Sequence, residues 1–239
     1  MRRALLILIA LTLCGCTSVP APPAAQRATT ATQAPANATV FPRFADEIAR
    51  FDSADRVRMP PTGGVLFVGS STIRLWPTLA AGFPGTSVVQ RGFGGSEIAE
   101  VIHYAPRIVL PYRPRLIVLY AGDNDLAAGK SPQTVFRDYQ SFVALVRSTL
   151  PETRIVFLSI KPSGARWALV EKVRAANALV REYSATHAGL IYVDTFTPML
   201  GADGLPRDEL YLEDRLHLTP RGYALWRELL APVIGRFGR

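Results

Sequence analysis

Residues 65–76 read VLFVGSSTIRLW, and the fold turns on this stretch. Val65, Leu66, Phe67 and Val68 run without a polar break, as in a strand covered on both faces. Gly69, Ser70 and Ser71 follow, and then a segment with helical spacing. A strand that turns sharply through glycine into a helix start leaves a small side chain at the end of a sheet, with backbone N–H groups directed towards it. That is a place for a nucleophilic hydroxyl. Taken alone, the serines would equally serve as helix caps.

Working outward, strands and helices alternate. Before the stretch, Phe44, Ile48 and Phe51 are spaced for one helical face, and Pro60–Gly64 turns the chain into the first strand. After it, Val88 and Val89 begin a short second strand that ends in Arg91-Gly92-Phe93-Gly94-Gly95-Ser96, and a helical piece carries Ile98, Val101 and Ile102. Leu116–Tyr120 is a third strand, closed by Ala121-Gly122-Asp123-Asn124-Asp125. Ser131-Pro132 is a cap followed by proline at the first helical position. It opens a helix whose Val135, Tyr139, Phe142, Val143 and Val146 share a face. Ile155–Leu158 is a fourth strand leading into Lys161-Pro162-Ser163-Gly164. Leu169, Val170, Val173, Ala176 and Val180 mark another helix, and Leu190–Val193 a fifth strand. Thr219-Pro220 opens a last helix carrying Leu225, Trp226, Leu229, Val233 and Phe237. The pattern predicts an α/β fold, a doubly wound α/β/α sandwich with a five-stranded parallel sheet. Ligands of such sheets bind beyond the carboxyl ends of the strands, where Gly69–Ser71, Gly94-Gly95, Gly122–Asp125 and Lys161-Pro162 should converge.

The N-terminus reads differently. Arg2 and Arg3 precede an apolar run, Ala4–Leu13, too short to span a bilayer, and Cys14-Gly15-Cys16 closes it. Residues 1–16 are thus expected to be a secretory leader. Its ending resembles the lipobox of bacterial lipoproteins, which implies that Cys16 becomes the acylated first residue of the mature protein. Thr17 stands after it instead of the Asp linked to inner-membrane retention. The expectation is therefore a cell-envelope protein held to a membrane by its N-terminal lipid, with the outer membrane favoured. Residues 17–40, rich in Ala, Pro and Thr with almost no large apolar side chain, read as a flexible tether. Residues 41–239 read as one domain, of a length that supports its own core.

The chain has 27 basic and 19 acidic residues among 239. Without the leader's two arginines the balance is 25 against 19, a formal +6. The arginines are scattered, so nucleic acid is not an expected partner, and attraction to an anionic envelope surface is the simpler reading. Both cysteines, Cys14 and Cys16, lie in the leader segment, so the domain holds no thiol nucleophile or thiolate metal site.

Three histidines limit the search for a base. His103 sits in a helical piece beside Tyr104 and reads as a packing or surface residue. His187 lies at the end of a helix, where an imidazole meets the last carbonyls. His217 follows Asp214 by three residues in Leu212–Leu218, close enough for the carboxylate to take the proton of one ring nitrogen and leave the other as a base. Asp194, after the fifth strand, is the rival carboxylate and reads as a turn residue. Acyl transfer also needs donors for an oxyanion. Gly95 offers a backbone N–H at close approach, Asn124 its side-chain amide, and Ser71 its own N–H.

In this order the residues resemble the SGNH hydrolases, also called GDSL esterases and lipases. The family's G-D-S block is matched by Gly69-Ser70-Ser71, its glycine donor by Gly95 and its G-x-N-D block by Gly122-Asp123-Asn124-Asp125. Its D-x-x-H block is matched by Asp214 and His217. The resemblance implies a flavodoxin-like sheet and a serine esterase that needs no metal or cofactor. Ser71 would be the nucleophile, Asp214 and His217 its partners, and Ser71, Gly95 and Asn124 the oxyanion donors. Substrates would be small-molecule, polysaccharide or lipid esters. One departure stands out: Ser70 replaces the usual Asp and becomes a rival nucleophile. It also leaves open a catalytically silent binding module on the same scaffold. A third reading, a phosphate-ester enzyme using Asp123 and Asp125 with a metal, is disfavoured by the want of clustered His and Asp elsewhere.

Overall fold

A computed structural model of the protein describes residues 42–237. The expected leader, Cys14, Cys16 and the whole of the expected tether lie outside the described residues. Five strands form one all-parallel sheet: β1 (Val65–Gly69), β2 (Val88–Gly92), β3 (Leu116–Tyr120), β4 (Arg154–Leu158) and β5 (Leu190–Val193). Their spatial order is β2-β1-β3-β4-β5. The chain starts in β1, steps outward to β2, then returns past β1 to β3, so the direction of winding reverses between β1 and β3.

The unbroken apolar runs have their cause in this layering. Leu66, Val68, Ile117, Leu119, Ile155 and Phe157 enter one core, with α1 (Ala45–Val57), α3 (Ile98–Ile108), α5 (Pro132–Thr149) and α6 (Val170–Thr186) over that face. The alternate residues Val65, Phe67, Leu116, Val118, Val156 and Leu158 enter a second core under α7 (Pro220–Phe237). A strand buried on both sides has no polar face to show, and period-two alternation disappears.

Local chemistry explains most element starts. Ser131 Oγ accepts from the Thr134 amide at 3.1 Å with Pro132 beginning α5, the side-chain cap that the orphan N–H groups of a helix require. At the start of α3, Glu97 and Glu100 form a reciprocal capping box, with the Glu97 amide donating to Glu100 Oε2 at 2.9 Å.

Several expectations are refined. The helix after Gly69 is a single turn, α2 (Ser71–Arg74), because Pro77 disfavours helical backbone before it. The segment closing β3 is itself helical, α4 (Asp123–Ala127). β2 runs on through Gly92, and β4 begins one residue early at Arg154. In α7 the core-facing stripe is Tyr223, Trp226, Leu230 and Ile234, whereas Leu225, Leu229, Val233 and Phe237 pack at its margin. Both stripes satisfy helical spacing and share Trp226, so periodicity alone did not choose between them. Among the described residues no helix is long and apolar enough to cross a membrane.

Candidate active site

The site forms at the winding reversal, beyond the carboxyl ends of β1 and β3. Gly69 brings these strands close: it adopts φ +132°, and a Cβ there would lie 1.8 Å from the Tyr120 carbonyl oxygen. The Ser70 amide donates to that oxygen at 3.0 Å. The chain then turns so that the two serines face opposite environments. Ser70 is 1 % exposed, and its Oγ is buried without a hydrogen-bond partner among the described residues. Ser71 is partly exposed, and its Oγ lies 2.9 Å from His217 Nε2.

The imidazole is held by a compact loop. Tyr211 and Leu218 pair as an antiparallel bridge, and the Leu212 amide donates to the His217 carbonyl at 2.8 Å. Inside the loop Arg215 takes a left-handed conformation, φ +53°. Asp214 Oδ1 accepts from the Leu216 and His217 amides, each at 2.9 Å, and Oδ2 stands 2.5 Å from His217 Nδ1. Partial burial works against the Asp214 charge, but the His217 ring and the two backbone donors outweigh it and hold the carboxyl down at about 2. An ionised Asp214 only accepts. The proton between it and the ring therefore sits on Nδ1, and in the neutral ring Nε2 presents its lone pair to Ser71 Oγ–H.

α7 fixes the other side of the turn that carries Ser71. Tyr223 stacks on Trp76 at 5.0 Å between centroids and donates to the Thr72 carbonyl at 2.9 Å. The two remaining histidines lie elsewhere. His103 is exposed and meets the edge of Tyr104, and His187 Nδ1 lies 2.8 Å from the Tyr183 carbonyl at the end of α6. Asp194 Oδ1 accepts from the Phe196 and Thr197 amides, a turn role.

Asn124 stands at the end of β3, and its Nδ2 donates to the Ser96 carbonyl at 3.0 Å, joining the β3 loop to the β2 loop. Gly95, next to Ser96, takes φ +70°. Among the described residues the Ser71 and Gly95 amides have no protein acceptor. The two aspartates flanking Asn124 are already engaged. Asp125 accepts from the Ile98 amide and Lys130, and burial pushes its carboxyl up to about 6 despite that lysine. Asp123 pairs with Lys161 at 3.2 Å and Arg166 at 3.1 Å. Among the described residues no group of three His, Cys, Asp or Glu side chains is arranged to hold a metal ion.

The sequence brought Lys161-Pro162 to the ligand edge without a role for the lysine, and it singled out neither Arg166 nor Tyr120. A signal existed for Lys161: a lysine three residues past the apolar end of β4 must be paired if buried, and Asp123 stood beyond the end of another strand.

Fold and site together define a doubly wound α/β protein with a hydroxyl, imidazole and carboxylate in hydrogen-bonded series at its winding reversal. The chain belongs to the GDSL-like Lipase/Acylhydrolase family, whose profile matches residues 62–225. It is 29 % identical over 168 residues to the platelet-activating factor acetylhydrolase IB subunit alpha1 of Bos taurus, spanning 66 % of this chain and 69 % of that protein. The human alpha1 subunit matches at the same identity, over 66 % of this chain and 70 % of its own length. A GDSL-like lipase from Bacteroides thetaiotaomicron superposes with a TM-score of 0.69 at 21 % identity, covering 79 % of this chain and 97 % of that one. A carbohydrate esterase family 3 protein from Talaromyces cellulolyticus does so with a TM-score of 0.52 at 17 % identity, covering 73 % and 97 %. At these identities the two structures speak for the fold alone.

Proposed function

We propose that the protein is a serine esterase that hydrolyses carboxylic esters through an acyl-enzyme on Ser71. The observation that carries this reading is the series Ser71 Oγ, His217 Nε2, His217 Nδ1 and Asp214 Oδ2, with separations of 2.9 and 2.5 Å. His217 Nε2 takes the Ser71 proton as Oγ attacks the ester carbonyl carbon, and the carbonyl electron pair moves onto its oxygen. Asp214 steadies the imidazolium, and the Ser71 and Gly95 amides and the Asn124 side chain donate to the oxyanion. Collapse of the tetrahedral species breaks the bond to the alcohol, which leaves with the proton from His217. Water then gives a proton to His217 and attacks the acyl carbon, and the acid leaves as Ser71 recovers its hydrogen.

Acetyl esters are the first substrates to test, because the curated relatives are named as acetylhydrolases. The alcohol side is a small molecule, a polysaccharide or a lipid of the cell envelope, where acylation of Cys16 would hold the protein to the outer membrane. A fluorophosphonate probe should label wild type and not Ser71→Ala, and p-nitrophenyl acetate, butyrate and palmitate should rank the acyl chains. A folded wild-type protein that neither reacts with the probe nor cleaves any of the three esters would overturn this reading.

A further inference from the structure

Behind Asn124 lies a buried polar chain that the triad and the oxyanion donors do not use. Lys161, at the end of the fully buried run after β4, is 2 % exposed. Its Nζ lies 3.0 Å from Tyr120 Oη, 3.2 Å from Asp123 Oδ2 and 3.4 Å from Thr72 Oγ1, so it touches β3, α4 and the residue after Ser71. Asp123 is 6 % exposed and faces a second cation, Arg166, from the 3-10 turn Gly164–Leu169. Arg166 divides its guanidinium: Nη1 pairs with Asp123 and Nη2 donates to Asn124 Oδ1 at 2.9 Å.

Two cations thus share one carboxylate, and the cluster carries a formal surplus of one positive charge. Burial alone would raise the Asp123 carboxyl. Lys161 and Arg166 outweigh it and hold the group below its ordinary value, so it remains the anchor. The Asn124 amide is gripped from both ends. Its oxygen faces a guanidinium that can only donate, and its nitrogen faces the Ser96 carbonyl, which can only accept. Only one of the two amide flips satisfies both. One Nδ2–H is spent on Ser96, and the second has no acceptor among the described residues.

From this arrangement we infer that Arg166 is a positioning residue for the oxyanion donor. Held by Asp123, which Lys161 in turn pairs, it fixes the flip of the Asn124 amide and polarises it, so that the free Nδ2–H meets the developing oxyanion already oriented. The inference rests on the esterase reading. Donation to the amide oxygen draws electron density from Nδ2 and makes its N–H a stronger donor, the cooperativity of linked hydrogen bonds in a low-dielectric site. Preorganisation matters because a donor that need not reorient at the moment of reaction costs no reorganisation energy.

A double-mutant cycle tests it, with kcat and KM measured separately for wild type, Arg166→Ala, Asn124→Ala and the double variant. Loss of the Asn124 donor is expected to lower kcat about 10²-fold. Arg166→Ala is expected to lower kcat about 10-fold with little change in KM, and to cost less than about 2-fold further once Asn124 is already alanine. Methylguanidine should restore part of the Arg166→Ala loss, and Arg166→Lys, which keeps the Asp123 pair, should be intermediate and cover the case where the alanine variant does not fold. Independent, additive losses, or a change in KM alone, would overturn the inference while leaving the esterase reading intact. If Asn124→Ala turns over normally, or wild type cleaves no ester, the esterase reading itself fails. The side-chain amide resonances of Asn124 then decide the positioning claim: they should shift and exchange faster in Arg166→Lys, and an unchanged pair of resonances would overturn it.

Discussion

Replacing Gly69 by alanine should damage stability and turnover together. The residue adopts φ +132°, a backbone region that side chains rarely enter, and occupying it costs on the order of 1–3 kcal/mol. The added methyl would sit 1.8 Å from the Tyr120 carbonyl oxygen and 2.7 Å from its carbon. Ordinary contact requires that β1 and β3 part by roughly 1.6 Å at this end, and such overpacking costs about 1–3 kcal/mol more. The 3.0 Å bond from the Ser70 amide to Tyr120 cannot survive that separation unchanged. A total near 2–6 kcal/mol corresponds to a fall in Tm of roughly 5–20 °C for a domain of this size. Ser71 follows β1 and Asn124 follows β3, so the same displacement pulls the proposed nucleophile from the proposed oxyanion donor, and about 1 Å of misplacement costs about 10²-fold in rate. Circular dichroism melts and kcat on an acetyl ester measure both effects. Gly63→Ala is the control: φ is +78° there too, but nothing lies within 4 Å of the added methyl. It should lose about 1–3 kcal/mol of stability from strain alone and keep its kcat. If Gly69→Ala melts within about 2 °C of wild type and turns over within about 2-fold, the close approach does not organise the site.

Ser71→Ala should lower kcat at least about 10³-fold. Ser70→Ala removes a buried hydroxyl that has no partner among the described residues, so neither Tm nor turnover should fall appreciably; the reverse pattern would exchange the serines' roles. With Asp214 held at about 2, the carboxylate stays charged throughout the assay range. kcat/KM should therefore rise with pH through a single ionisation, that of the base, and a two-proton slope above pH 4 would contradict this assignment. Asp125 gives a stability signature of opposite sign to that of a typical salt-bridged carboxylate. Its carboxyl is raised to about 6 in the fold, so the native state holds the proton more tightly and stability contributed by the protonated form is lost as pH rises from about 4 through 6. Urea titrations should show wild type losing at most about 3 kcal/mol relative to Asp125→Asn across that window, and parallel curves would refute the burial argument. Cys16→Ser should abolish metabolic labelling with palmitate; unchanged labelling would move the anchor to Cys14 or elsewhere.

What the sequence determined alone was whatever depends on near neighbours. Continuous apolar runs marked four of the five strands closely because burial on both faces leaves no polar alternation. Ser131-Pro132 marked the start of α5 because capping is a contact three residues long. Asp214 and His217 were readable as a pair for the same reason, since one short loop holds both. Tertiary structure decided what joins distant segments. Ser71 and His217 stand 146 residues apart and meet only because the sheet order and α7 return the chain to the end of β1. Which of Ser70 and Ser71 meets His217 depended on which hydroxyl the turn at Gly69 sends into the core. The α7 stripe depended on which of two overlapping faces the second core accepts. Lys161, Asp123 and Arg166 carry no local signature as a group, because their pairing follows from the segments after β3 and β4 converging on one edge of the sheet. Periodicity and spacing act within a few residues along the chain, whereas register, strand order and burial are properties of the packed whole.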